Sequence, residues 1–404
     1  MLSFADARTK ILENIAPIDT EMVPLAQAGG RILAQALFAP WDLPLWDNSA
    51  MDGFAVRFAD CAAGATLGLS GYIPAGKAAS QALAPGCAIK IMTGAPIPPG
   101  CDCVVPLEDA TQEGETVRID RPVKAGQHLR FRGEDIREGA EVLAAGTRLR
   151  AAEIGMLAGL GQVQVRVFRR PRVAVLATGD ELVEVGEQLR EGCLINCNSL
   201  ALAASLQEMG CEPVLLGIAR DDRESHREKL REGLVADALI TSAGVSAGDR
   251  DLVKDVLEEL GTNILLWKLA IKPGKPFAFG LHGKLPVFCL PGNPVATLVT
   301  FEVLARPALL KLAGHRRCLS RPVRATLTEE FRKKKGRLNF TRVRLRMEEG
   351  RYLAGTAGMQ SSAILSSLSA ADGLAMLSAE GEIFKAGEEV DVHLLGCGAL
   401  SEED

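Results

Sequence analysis

The spacing of apolar residues changes character several times along the chain. Residues 3 to 16 place Ile11, Leu12 and Ile15 on one side of a short amphipathic helix that stops at Pro17. From about residue 20 to 140, short apolar runs such as Gly86-Cys-Ala-Ile-Lys-Ile-Met92 and Cys103-Val-Val-Pro106 are cut by Gly and Pro, which predicts a β-rich region, barrel-like or an irregular sheet. Residues 141 to 170 mix a helix over Ala151 to Leu160 with the alternating strand Val163-Gln-Val-Arg-Val167, and can pair with the N-terminal helix as a connecting body. A different grammar begins at Pro171. Strands at Arg172 to Ala177, Pro213 to Ile218 and 238 to 241 alternate with helices at Ser199 to Met209, Ser225 to Leu234 and Leu252 to Leu260, and a long helix runs from Pro294 towards Ala313. Such alternation predicts a doubly wound, mostly parallel sheet with helices on both faces. Beyond residue 315 the pattern is β again. In Thr341 to Met347 the alternation sets Arg342, Arg344 and Arg346 on one side and Thr341, Val343, Leu345 and Met347 on the other; with Lys333 to Lys335 and Arg337 this makes a basic strip, either a solvated face or a ligand-facing patch.

The expected fold is therefore α/β and multidomain. A central doubly wound α/β domain at 171–315 is flanked by a β-rich domain at 21–140, a connecting and dimerisation body from 1–20 with 141–170, and a C-terminal β domain at 316–404. In open sheets of this kind ligands bind where loops leave the carboxyl ends of strands. Three loops in such positions carry most of the chemistry: Thr178-Gly-Asp-Glu181, Thr241-Ser-Ala-Gly-Val-Ser-Ala-Gly-Asp249 and Lys272-Pro-Gly-Lys275. In the second, Gly244 and Gly248 permit positive φ and close backbone approach, so that amides and the Ser242 and Ser246 hydroxyls can converge on an oxyanion at the start of a helix. Asp249 and Asp251 either cap that helix or hold a metal bridging to phosphate. Lys268, Lys272 and Lys275 gather cations that would repel one another without a bound anion.

Asp47-Asn-Ser-Ala-Met-Asp-Gly-Phe54 and Met92-Thr-Gly-Ala-Pro-Ile-Pro98 are turn-rich; Asp52 before Gly53 reads as an ordinary turn unless an acid is required there, and Thr93 is free to donate to an anion. Carboxylates at Asp52, Glu181, Asp221 and Asp251 sit in different segments, and if they converge Mg²⁺ with phosphate is the natural bridge. A P-loop lysine motif and a Gly-x-Gly-x-x-Gly fingerprint are both absent, and the 5 histidines assemble into no Ser/His/Asp or Cys/His set. The residues alone point to a magnesium-assisted phosphate or oxyanion enzyme.

Composition narrows the classes. A chain of 404 residues with 47 % hydrophobic residues can bury several cores, and 41 Gly with 20 Pro favour strands and turns over a helical bundle. Net charge −5 and a pI near 5.8 provide no global basic field for nucleic acid, so any anion site must be local. The 10 cysteines include no Cys-x-x-Cys pair; Cys101-x-Cys103 and Cys193-x3-Cys197 lack partners at zinc-site spacing, and reduced thiols acting as small buried hydrophobes fit a cytoplasmic protein. No stretch reaches the length of a membrane span and the first residues lack a signal-peptide core, so a soluble cytoplasmic protein is expected. The acidic tail Glu402-Glu-Asp404 is expected to be disordered.

Asp47 to Phe54, Thr93-Gly-Ala-Pro96, Ala177-Thr-Gly-Asp-Glu181, Ser242-Ala-Gly-Val-Ser246, Lys272-Pro-Gly-Lys-Pro276 and Leu290-Pro-Gly-Asn-Pro294 occur in that order, and together they resemble the molybdopterin molybdenumtransferase family, the MoeA type, related to the E domain of gephyrin. The resemblance covers nearly the whole chain, and its middle block is also similar to molybdopterin adenylyltransferases. It implies a central domain of the molybdopterin-binding type, an elongated four-part subunit, and a homodimer whose cleft combines parts of both chains. It also implies the reaction: adenylylated molybdopterin and molybdate give molybdenum cofactor and AMP with a divalent cation.

On the same resemblance, Asp52, Thr93, Asp135, Glu181, Asp221 and Asp251 line the cleft as catalytic, metal or substrate contacts, with Glu181, Asp52 and Asp251 as the Mg²⁺ ligands. Lys268, Lys272 and Lys275 would hold molybdate or phosphate; Ser242, Gly244, Ser246, Gly248, Asp249, Pro291 and Asn293 would bind substrate, and Arg342 and Ser362 would come from the last domain. A molybdopterin adenylyltransferase and cofactor-accepting apoenzymes are the implied protein partners. Ala243 departs from the family's usual second Gly, Leu252 from a frequent aromatic, and Cys101 and Cys103 from small residues; Asp222 beside Asp221 leaves two readings of that position. The rival readings are a molybdopterin adenylyltransferase and a non-catalytic scaffold dimer.

Overall fold

The computed structural model describes residues 2–77, 82–244 and 252–396. Ser246, Gly248, Asp249, Asp251 and the tail at 402–404 lie outside the described residues. Contacts divide the chain into two compact units: residues 1–34, 146–150 and 164–404 form one, and 35–145 with 151–163 the other. The segment 141–170 is thus shared out between them. Its helix Ala151–Gly159 lies in the second unit, while its strand Gln164–Phe168 pairs antiparallel with Thr20–Pro24 in the first.

In the second unit, the Gly- and Pro-punctuated region forms a six-stranded sheet in the order Cys103–Pro106, Gly53–Val56, Cys87–Ile91, Thr66–Ile73, Thr116–Ile119, Ala110–Glu113. Its two faces bury separate clusters, one around Phe54, Val105 and Val117, the other around Ala55, Ile89 and Val104, as period-two alternation requires. Gly53 cannot be replaced there without a shift, because an added Cβ would lie 2.1 Å from the Val105 carbonyl oxygen.

The first unit is built on a second six-stranded sheet, ordered Glu212–Ala219, Arg172–Thr178, Ala238–Ser242, Leu285–Leu290, Ala278–His282, Asn263–Trp267. Neighbours among the first four strands are parallel, and Ala278–His282 runs antiparallel to both of its neighbours. Five strands therefore point the same way, and Thr178, Ala219, Ser242, Trp267 and Leu290 all end at one edge. Val173, Val175 and Ile240 pack on one face against Leu202 and Leu206, while Ala174, Leu176 and Leu239 pack on the other against Leu230 and Val256. Burial on both faces explains why these strands read as continuous apolar runs.

At the opposite edge, Asp237 clamps the amino ends of two strands. It accepts from Arg169 Nη1 and Nη2 at 2.7 Å each and from the Arg172 backbone N–H at 2.7 Å. Burial works to raise its pKa, but those bonds and the two arginine charges prevail and hold it below the ordinary carboxylate value.

Two expectations need correction. The helix after Pro294 is not uniform: Pro294–Thr300 passes into a π-helical stretch, Phe301–Ala305, before Arg306–Leu312 resumes. Pro307 supplies no N–H and its ring crowds the carbonyl of the preceding turn, which disrupts the regular ladder there. The basic strip is also not one surface. Arg342 is 1 % exposed while Arg344 and Arg346 are exposed, because Leu338–Glu348 lies inside the sheet at its start and runs out into solvent at its end. That strand closes a ring with Arg351–Thr356, Val323–Leu327, Glu389–Leu394 and Gly373–Leu377, and its start also pairs in parallel with Ile271–Lys272.

Asp237→Asn should lower unfolding stability by about 2 kcal/mol near neutral pH, a bidentate charged pair being lost. Because the folded pKa is depressed, the wild-type advantage is full above the unfolded carboxylate value and is lost as pH falls through the folded one. Urea unfolding of both proteins from neutral to acid pH checks this; a gap that widens on acidification contradicts it.

Candidate functional site

Loops that leave the ends of Arg172–Thr178, Ala238–Ser242 and Leu285–Leu290 border a cleft of about 550 Å³ lined by Glu181, Leu194, Asn196 to Asn198, Ser242 to Gly244, Pro276, Pro291 to Pro294 and Ala363, among others. Its size suits a cofactor-sized ligand. The Cys197–Glu208 helix starts at the cleft wall; Asn196 caps it by accepting from the Ser199 N–H at 3.3 Å, so the positive end of a twelve-residue helix faces the space.

The glycine loop comes in close because its residues allow it. Gly244 has φ +72°, and an added Cβ would sit 2.2 Å from Val253 Cγ2 and 3.1 Å from Thr178 Oγ1. Ala243, where resemblance leads one to expect glycine, nevertheless has φ +76°. The left-handed conformation is kept at a cost of roughly 1–2 kcal/mol for a residue with a Cβ, and close approach survives because Gly292 stands opposite: a Cβ there would be 3.0 Å from that of Ala243.

The lysine loop is held from two sides. Lys268 is half-buried with φ +62° and its Nζ lies 5.7 Å from the centre of the Trp267 ring, while Lys272 and Lys275 are exposed, their ammonium groups without a hydrogen bond or ion pair among the described residues. Gly274 between them has φ +110°, and a Cβ would meet the buried Thr300 Cγ2 at 2.3 Å.

Arg342 reaches the cleft indirectly. Its Nε donates to Ser367 Oγ at 3.0 Å, and Nη2 donates to the carbonyls of Met359 and Ser361 at 3.0 Å each; burial lowers its pKa. Those bonds fix the loop that brings Ser362 to Asn293, whose Nδ2 donates to Ser362 Oγ at 3.2 Å, and the Val295 N–H donates to the Ser362 carbonyl at 3.2 Å. Asn293 and Ala363 line the cleft; Arg342 supports it.

Acidic groups fall into separate places. Glu181 lines the cleft. Asp221 and Asp180 exchange bonds, the Asp221 N–H donating to Asp180 Oδ1 at 3.1 Å and the Asp180 N–H to Asp221 Oδ2 at 3.5 Å. Asp222 caps the Arg223–Gly233 helix by accepting from the Ser225 N–H at 2.8 Å, which separates its role from that of Asp221. In the other unit, Asp52 Oδ1 accepts from both the backbone N–H and Oγ1 of Thr93, each at 2.7 Å. These two bonds hold the Asp52 carboxyl below its ordinary pKa and leave Oδ2 without a partner among the described residues. Asp135 is exposed, its carboxylate likewise without a described partner. Among the described residues no three His, Cys, Asp or Glu side chains are grouped to hold a metal, and the described cysteines are free thiols.

Residues 2–161 match the MoeA N-terminal region (domain I and II), 174–311 the probable molybdopterin binding domain, and 324–395 the MoeA C-terminal region (domain IV). The molybdopterin molybdenumtransferase of Haemophilus influenzae is 38 % identical over 405 residues, covering 98 % of this chain and 100 % of that protein. The chain belongs to the molybdopterin molybdenumtransferase family. The family member from Synechococcus elongatus is 37 % identical over 98 % of this chain and 100 % of its own length. A molybdopterin biosynthesis MoeA protein from Pyrococcus horikoshii superposes with a TM-score of 0.83 at 31 % identity, covering 98 % of this chain and 100 % of that one.

Several cleft residues escaped the reading of the sequence. Asn198 sits among them, in a stretch that drew notice only for its cysteine spacing, and its contacts lie 44 and 94 residues away in the chain.

Gly274→Ala should destabilise the protein by about 2 kcal/mol or more, since both the left-handed backbone and the contact with Thr300 oppose a Cβ. Denaturant unfolding measures this, and an unchanged midpoint contradicts it.

Proposed function

We propose that the chain inserts molybdate into adenylylated molybdopterin, forming molybdenum cofactor with release of AMP, the last step in making that cofactor. Family membership makes it a transferase of molybdenum-cofactor biosynthesis. The observation that carries the finer reading is the meeting, at one sheet edge, of a helix N-terminus, a glycine loop and the lysine loop, whose Pro276 lines the cleft and whose Lys272 and Lys275 are exposed with no ion pair among the described residues. Molybdate and a pyrophosphate linkage are both oxyanions, and such an edge attracts them.

On this reading the residues take the following roles. Lys272 and Lys275, with Lys268, hold molybdate or phosphate; Ser242, Gly244, Pro291, Asn293 and Ser362 form the substrate wall. Asp52, oriented by Thr93, presents one free carboxylate oxygen, and Asp135 and Asp221 supply further carboxylates. Carboxylate oxygen suits Mg²⁺, which is held by one or two carboxylates plus substrate oxygens rather than by a full protein cage; Glu181 in the cleft and, separately in the other unit, Asp52 are the described candidates. Bound there, the cation would screen the charge of the anions. The working form is a cytoplasmic homodimer, each subunit divided into the four parts set out for 1–20 with 141–170, 21–140, 171–315 and 316–404. No helix among the described residues is long and apolar enough to cross a membrane.

Incubating the purified protein with adenylylated molybdopterin and Mg²⁺, with and without molybdate, tests the reaction: AMP should appear together with active cofactor only when molybdate is present. AMP transfer from ATP to molybdopterin by this protein alone would favour an adenylyltransferase instead.

Asp52→Asn retains the oxygen that Thr93 bonds but replaces the free one with an amide, so turnover should fall at least about tenfold while light scattering still reports the dimer. Lys272→Ala should raise the molybdate requirement by about tenfold through loss of one cation, again without dissociation. Wild-type kinetics in either variant removes that residue from the site.

A further inference from the structure

The contacts of Asn198 define its role. Its Nδ2 lies 2.8 Å from Ser242 Oγ and 2.7 Å from the Gly292 carbonyl oxygen. A carbonyl only accepts, so the amide must present its nitrogen, and each of its two hydrogens has one partner. An amide nitrogen cannot accept in return. The Ser242 oxygen therefore receives a hydrogen bond, and its own proton must go elsewhere. Ser242 is 2 % exposed and lines the cleft, and among the described residues its Oγ makes no hydrogen bond besides the one from Asn198. A buried hydroxyl with a proton to donate and no acceptor among the described residues can meet one in the cleft that it lines.

We infer that Asn198 is a positioning residue that fixes the Ser242 hydroxyl as a hydrogen-bond donor to an oxyanion of the bound substrate, while tying the strand ends at Ser242 and Gly292 to the start of the Cys197–Glu208 helix. The substrate in question is the adenylylated molybdopterin of the proposed function, so the inference rests on that reading. Two neighbouring observations support the geometry. Asn198 occupies the first turn of the helix, where Asn196 caps the end and holds the turn in place. The carbonyl of Gly292 belongs to the same turn as Asn293, which the Ser362 loop secures from the other side.

Asn198→Asp tests this with almost no change of shape. A carboxylate can only accept, so it would take the Ser242 proton and turn the hydroxyl's lone pairs towards the incoming anion. Adenylylated molybdopterin is titrated into the full-length wild type, Asn198→Asp, Ser242→Ala and the double variant with Mg²⁺ present, following pterin fluorescence, with a thermal melt of each protein. Each single variant should weaken binding by about tenfold, the usual scale for a hydrogen bond to a charged group. In the Ser242→Ala background the effect of Asn198→Asp should shrink to about threefold or less, the remainder reporting its bond to Gly292.

An equal penalty in both backgrounds, wild-type affinity in Ser242→Ala, or no binding by the wild type would overturn the inference; the first would make Asn198 a structural tie only. Turnover separates this from the functional reading. Binding that obeys the cycle without molybdate-dependent AMP release sinks the proposed reaction and leaves the positioning role, whereas normal turnover with additive penalties does the reverse.

Discussion

Nearly everything at the site depends on one constraint: a sheet buried on both faces has to release its loops at its edges. The interior strands Arg172–Thr178, Ala238–Ser242 and Leu285–Leu290 have no exposed face on which to place chemistry. Their polar residues are therefore delivered where the strands stop, and five co-directional strands deliver them to the same edge. The opposite edge is clamped by Asp237 to Arg169 and Arg172, which fixes where the strands begin and hence where they end.

Bringing several loops together leaves little room for side chains between them. Gly244, Gly274 and Gly292 each stand where a Cβ would press on a neighbour, and Ala243 is accommodated because Gly292 faces it. The departure at Ala243 is thus absorbed locally, by backbone strain on one side and an empty position on the other. Support also arrives from the closed C-terminal sheet. Its buried Arg342 fixes the 359–361 segment, and Ile271–Lys272 joins its edge, so the lysine loop and Ser362 are held to one framework.

The architecture of this region was legible because period and composition are local properties. The strands and helices from Arg172 onward, and the placement of the loops at carboxyl ends, follow from alternation and from Gly and Pro. Residues whose roles depend on distant partners were not legible. Alternation placed Arg342 with Arg344 and Arg346, but burial depends on where the strand leaves the sheet. Asn198 gave no signal because its partners are Ser242 and Gly292. Asp221 and Asp222 were indistinguishable until a cap on Ser225 claimed one of them. The π-helical stretch before Pro307 had a local cause, yet the apolar pattern around it continues unbroken and conceals the change.

The central claim is that the sheet-edge cleft receives the substrate's oxyanions. The most direct measurement is a crystal structure of the full-length protein with adenylylated molybdopterin and Mg²⁺. The account predicts phosphate oxygens within hydrogen-bond distance of Ser242 and the 243–244 backbone, with the ligand between the Asn196 to Asn198 and Pro291 to Asn293 walls. Ordered ligand elsewhere on the protein, with this cleft holding only solvent, would contradict it.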